Sequence, residues 1–165
     1  MREILYRAKA INRDNGYYRT SYKNGDWVYG LITRLYDERF EAVPAEMKNT
    51  NGVSGIEVDY RTIGQYTGLT DKNDKKIFEG DILRFGNFIV FVVWNDETLA
   101  WECQRANDVH YYGHSDHHQI AEGDWGLIDL SYIATERIII GKMTTEIIGN
   151  IHDNPELLKG GVNNG

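Results

Sequence analysis

The run FIVFVVW at 88–94 constrains this chain more than any other stretch. Its positions are all apolar, so it has no polar face to turn toward water. It is far too short to cross a membrane as a helix, and it is rich in β-branched and aromatic residues. Such a run reads as a strand covered on both faces. ILRF (82–85) precedes it, separated by Gly86 and Asn87, a pair that tolerates the positive φ angles of a two-residue hairpin turn. The pattern predicts a hairpin whose second arm is the central strand of a sheet.

The rest of the chain follows the same grammar of short β-branched and aromatic runs between Gly, Asn and Asp clusters. Strands are expected at 4–8, 17–22, 27–33, 99–104, 126–133, 137–141 and 146–151, with turns at 12–16, 23–26 and 95–98. Residues 34–48 read as one short helix or an irregular loop. NTNGVSG (49–55) is a loop and the best boundary between two lobes. The polar, His-rich segment 105–125 looks like an insertion. In NPELL (154–158), Asn154 suits a cap and Pro155 the first helical position, so one helical turn is expected there. The expected class is mainly β with little helix: an N-terminal β lobe (1–55), a C-terminal β region (56–158) and a disordered tail (159–165). Gly-Asp stands before an apolar run three times, at Gly25-Asp26, Gly80-Asp81 and Gly123-Asp124. The spacing is too irregular for a repeat architecture and reads as recurrent turn chemistry, in which Gly permits the bend and Asp bonds nearby backbone N–H groups.

No run of about 18 apolar residues occurs, and the N-terminus lacks the apolar stretch of a secretory leader, so neither a membrane nor export is expected. Cys103 is the only cysteine. It cannot form an internal disulfide, which suits a reducing cytoplasm, and it reads as a small, partly buried apolar residue. The net charge of −7 is uneven. Residues 1–39 hold eight Lys/Arg against five Asp/Glu, whereas residues 95–130 hold eight acids against Arg105. The acidic mean field does not attract polyanions, so any nucleic-acid contact would fall to the N-terminal segment.

Several blocks resemble the YopX family of phages and prophages: TIGQYTGLTDKNDKKIFEGDILRF (62–85), VVW (92–94) and IIGNIHDNPELL (147–158). The opening MREILYRAKA is similar to that family's Ile-x-Phe-Arg-Ala start, with Tyr6 in place of Phe and Arg7 and Ala8 matching. The resemblance implies a small, mostly β protein of phage origin, active in the cytoplasm of a bacterial host, and it carries over no catalytic residues. The Glu-Gly-Asp-Ile hairpin followed by Val-Val-Trp also resembles SH3-like barrels, so the C-terminal region is expected as a curved sheet or a small SH3-like barrel. One position departs from the family's pattern: Asp74 stands where Gly is usual.

Three groups of residues are candidates for chemistry. His110, His114, His117 and His118, with Asp116 among them, offer nitrogen and oxygen donors to a metal such as Zn²⁺ or Ni²⁺. Their Gly- and Ser-containing context favours a polar surface loop, and no metal or other cofactor is expected. Arg2, Arg7, Lys9, Arg13, Arg19 and Lys23 interleave with Tyr6, Tyr17, Tyr18 and Tyr22, a pattern able to stack bases and neutralise phosphates. The competing reading is a strand with one polar face. The third group is the acids of the stretch 62–85, Asp71, Asp74, Glu79 and Asp81. They do not follow calcium-loop spacing and read as turn residues that keep a connection soluble. No Ser nucleophile elbow, His-Glu-x-x-His pair or phosphate-cradling loop is present. The sequence therefore points away from an enzyme, toward a non-catalytic accessory factor that binds a host or phage protein. Homo-oligomerisation is a further form this binding takes. A nucleic-acid-binding accessory protein and a metal-dependent enzyme built on the His cluster are the alternatives.

Overall fold

The computed structural model describes residues 3–12, 21–35, 45–85, 88–105, 127–129 and 145–158. They form two compact units, Met1–Tyr66 and Thr67–Gly165. The architecture is mainly β, with two antiparallel sheets, and among the described residues the only helical segments are short turns at Tyr60–Thr62 and Pro155–Leu158. Among the described residues no helix is long and apolar enough to cross a membrane. The loop at 49–55 connects two strands inside the first unit, and the units divide within a strand, after Tyr66.

The first unit is a meander of β1 (Tyr6–Lys9), β2 (Trp27–Arg34), β3 (Ala45–Asn49) and β4 (Ile56–Val58), joined by the start of β5 (Gly64–Thr70). The order is β4-β3-β2-β1-β5. Alternation sends Ala8, Val28, Met47, Ile56 and Val58 to one face, where they are fully or almost fully buried with Ala10 and Ala45. Three alanines in this cluster let the strands approach closely, and the sheet curls. The chain leaving β1 meets the far strand: Ala10 bridges Val58, Ile11 N donates to Glu57 O (2.8 Å) and Asp59 N to Lys9 O (2.8 Å). Gly30 is required by the curl. It pairs with Asn49, and a β-carbon there would run into the backbone oxygen of Lys48 and lie 2.8 Å from the Asn49 Cα. Asn49 then closes the turn to β4, its Oδ1 accepting from Asn51 N (3.1 Å) and Val53 N (2.9 Å).

In the second unit β5 continues beyond Tyr66 with β6 (Lys76–Phe78) beside it. The second sheet holds β7 (Asp81–Phe85), β8 (Phe88–Asn95), β9 (Ala100–Arg105), β10 (Leu127–Asp129) and β11 (Glu146–Asn150), in the order β10-β9-β8-β7-β11. The apolar run is the middle strand of five, as its pattern required. Val90 and Val92 are fully buried with Ile77, Leu83 and Cys103, and Leu69, Trp101 and Ile147 pack against them. Each of the four fully buried aliphatic side chains contributes roughly 1.5–3 kcal/mol of transfer free energy. Phe91 and Val93, on the opposite face, are half-buried. Among the described residues β10 and β11 do not pair with each other, so of the two expected forms the sheet is open and not a barrel.

Cys103 is a free thiol and fully buried, where the sequence suggested partial burial. The expected helical turn is present as a 3-10 turn at Pro155–Leu158. The strands expected at 17–22 and 137–141, the insertion beyond Arg105 and the tail at 159–165 lie largely or wholly outside the described residues. The first strand is shorter than expected and shifted, and residues 45–49, read from sequence as helix or loop, form a strand.

Because the obstruction at Gly30 is backbone, no rotamer change relieves it. Gly30→Ala is expected to lower the unfolding free energy by about 3 kcal/mol, the upper end of overpacking costs. Chemical denaturation followed by circular dichroism measures this, and a loss under about 0.5 kcal/mol, the range of a neutral surface change, would contradict the packing described.

Candidate binding face and the charged turn

Of the acids in the stretch 62–85, Asp71 and Asp81 bond backbone N–H groups of turns. Asp71 is fully buried. Its Oδ1 accepts from Asn73 N (2.8 Å) and Lys75 N (3.0 Å), which shapes the reversal between β5 and β6. Its Oδ2 accepts from Ile147 N (3.2 Å) on β11. Next to it Lys72 N donates to Thr145 O (2.9 Å), and Lys72 Nζ lies 2.6 Å from Glu146 Oε2. The turn thus lies along the outer edge of β11 and takes up backbone groups that another strand would otherwise pair with. Burial pushes the Asp71 carboxyl up, but the N–H donors of Lys75, Ile147 and Asn73 outweigh it and hold the group below its ordinary value. The hydrogen bond from Lys72 likewise holds Glu146 below the usual carboxylate range.

Asp81 and Asp26 account for the Gly-Asp echo. Asp81 Oδ2 accepts from Phe78 N (2.8 Å), and Asp26 Oδ2 accepts from Lys23 N (2.7 Å). In each case the carboxylate bonds the N–H three residues back while the preceding glycine takes a positive φ, +77° at Gly80 and +87° at Gly25. Gly80 also joins the motif to the C-terminal block, because its N donates to Val92 O and its O accepts from Ile151 N, both at 2.9 Å. The third Gly-Asp pair lies outside the described residues. In the C-terminal block Asn150 Oδ1 accepts from His152 N and Asp153 N, both at 2.9 Å. Neither Asn49 nor Asn150 stands out in the sequence, because an Asn–backbone bond depends on which loop the strands around it create.

Arg2, Arg13 and Arg19, together with His110, His114, Asp116, His117 and His118, lie outside the described residues. Among the described residues no group of three or more His, Cys, Asp or Glu is arranged to hold a metal. Of the remaining basic candidates, Lys23 is exposed. Arg7 is only 7% exposed and its guanidinium stacks over the Trp27 ring, 4.7 Å from the centroid, while Lys9 Nζ is 5.5 Å from the same ring. The structure brings these two cations together on one tryptophan.

That stack borders a feature the sequence did not single out. β2 sends Val28 and Gly30 into the core, and Trp27, Tyr29 and Leu31 the other way. Tyr29 is 42% and Leu31 49% exposed. They sit on a strand with neighbours on both sides, between Arg7 and Lys9 on β1 and Lys48 on β3, which lies opposite Leu31. The carboxylates on this face stand farther out: Glu46, 3.6 Å from Arg34, and Glu57, opposite Glu46 on β4. Alternation marks all three β2 residues as one face, but only the sheet order shows that the strip is flanked by cations.

Two outcomes are expected at the charged turn. Asp71→Asn keeps one acceptor oxygen and faces the Ile147 N–H with a second donor, so it is expected to cost about 1–3 kcal/mol at neutral pH. A carboxyl held below its unfolded value, about 3.9, stabilises fully above that value and loses the contribution as pH falls through the lower folded one. The stability gap between wild type and Asp71→Asn is therefore expected to narrow below about pH 4. Denaturant titrations at several pH values check this, and a gap independent of pH refutes it. Asp74 occupies φ +60°. Asp74→Gly is expected to be neutral or stabilising by up to about 1 kcal/mol, and Asp74→Val clearly worse, because a β-branched residue resists that region. Equal stability of the two variants would count against it.

A search of curated proteins gives no match. A family model described as YopX protein matches residues 12–159, a span that takes in the β2 face, the Asp71 turn and the Asn150 turn. The chain belongs to the YopX family.

Proposed function

We propose that this chain is a non-catalytic binding factor that engages a protein partner through the outward face of β2. The observation that carries the reading is the exposure of Tyr29 and Leu31 in the middle of a sheet whose opposite face is buried. Tyrosine suits such a site, since it offers a large apolar area, a polar tip and little rotamer entropy to lose. Arg7 and Lys9 stack on Trp27, which supports a role in shaping this face more than one in binding phosphates. The acids of the YopX motif are engaged in turns, and this supports a structural part for them. The free thiol of Cys103 is in keeping with a reducing cytoplasm, and the family resemblance with a phage-encoded factor acting in a bacterial cell.

Affinity capture from a bacterial host lysate tests the reading, with wild type and Tyr29→Ser/Leu31→Ser as parallel baits. The variant is expected to fold with a stability change within about 0.5 kcal/mol, as for other surface substitutions. A protein retained by wild type is expected to fall by about tenfold or more with the variant, the effect of losing an interface anchor. Identical captured sets would sink the proposal.

A further inference from the structure

The tip of the β8–β9 hairpin offers a surface that matches this face. Its turn is fixed by side chains. Asn95 Oδ1 accepts from Glu97 N (2.8 Å) and Thr98 N (3.3 Å). The carboxylate of Glu102, itself buried, accepts from Asn95 Nδ2 (2.9 Å) and Thr98 Oγ1 (2.7 Å). The turn ends in Leu99, which is 71% exposed and has φ +52°. Both features are unfavourable for a leucine. Its backbone conformation suits Gly or Asn, and its exposure suits a polar residue. An apolar side chain held out in a strained conformation by a rigid turn is the kind of outlier that marks a contact site. Asp96 and Glu97, both exposed, stand beside it, with Asp96 Oδ1 held by Trp94 Nε1 (2.8 Å).

The β2 face has the opposite character, with Tyr29 and Leu31 exposed between Lys48 on one side and Arg7 and Lys9 on the other. Its carboxylates, Glu46 and Glu57, lie toward β4 and away from Tyr29. We infer that the occupant of the β2 face is the β8–β9 tip of a second copy of this chain: Leu99 packs against Tyr29 and Leu31, and Asp96 and Glu97 meet Lys48 and Lys9. The inference rests on the reading of β2 as a protein-binding face and names the partner. Charge complementarity orients the two surfaces, and the apolar contact at the centre holds them.

Sedimentation velocity over a range of protein concentrations tests it. Wild type is expected to shift from monomer to dimer or larger species at low salt, and to lose most of that shift at about 0.5 M salt, where the screening length is roughly 4 Å. Leu99→Ser and Tyr29→Ser/Leu31→Ser are each expected to stay monomeric alone. Mixed, they are expected to associate, because one supplies an intact face and the other an intact tip. Leu99→Gly separates strain from contact: its thermal midpoint is expected to rise by about 2–4 °C while association is lost. A wild type that stays monomeric throughout, variants that associate like wild type, or a mixture that fails to associate would each overturn the inference. A monomeric wild type whose captured partner is lost with Tyr29→Ser/Leu31→Ser would leave the proposed function standing and remove only the second copy as occupant.

Discussion

The second unit depends on a carboxylate in the wrong place for a carboxylate. Asp71 is fully buried, and burial alone would favour its neutral form. Three backbone N–H groups reverse that balance. Two belong to its own turn and one to β11, 76 residues further along the chain. The same bonds shape the reversal between β5 and β6 and fasten the last strand of the second sheet. An aliphatic residue of similar size would leave those donors unsatisfied, and an amide would satisfy only part of them.

This arrangement explains how a run of alternating charge sits beside apolar strands. Lys72 and Glu146 hold the outer part of the contact in water, while Asp71 holds the inner part away from it. Asp81 does similar work at the following turn, with Gly80 supplying the backbone conformation and bonding both Val92 and Ile151. The acids are thus distributed among successive turns. They are not converged on one reacting atom, as a catalytic pair of carboxylates needs to be.

In the first unit the governing constraint is close approach. Alanines at 8, 10 and 45 and the glycine at 30 let β1 to β4 curl until the chain beyond β1 reaches β4. Along the curl Ala8, Val28, Met47, Ile56 and Val58 are buried on one face, and Trp27, Tyr29 and Leu31 lie on the other. Trp27 is covered by Arg7 and Lys9 there, while Tyr29 and Leu31 stay open. The sheet order places Tyr29 opposite Arg7 and Leu31 opposite Lys48.

By itself the sequence determined what depends on local pattern. The unbroken apolar run made β8 a central strand, because a strand with no polar side chain has no face suited to water. Gly-Asp before an apolar run marked turns whose carboxylate bonds lie within three residues, and those bonds form wherever the chain goes. The left-handed residue at Asp74 was legible only through the family resemblance, which has Gly at that position. Tertiary structure decided what depends on residues far apart. It set Asp71 against Ile147, gathered Arg7 and Lys9 on Trp27, and made β3 from a stretch whose pattern read as helix or loop. It also made the second sheet open, where the sequence allowed a barrel as well. Sheet closure depends on which edges meet, and strand pairing between distant segments leaves no local periodicity to read.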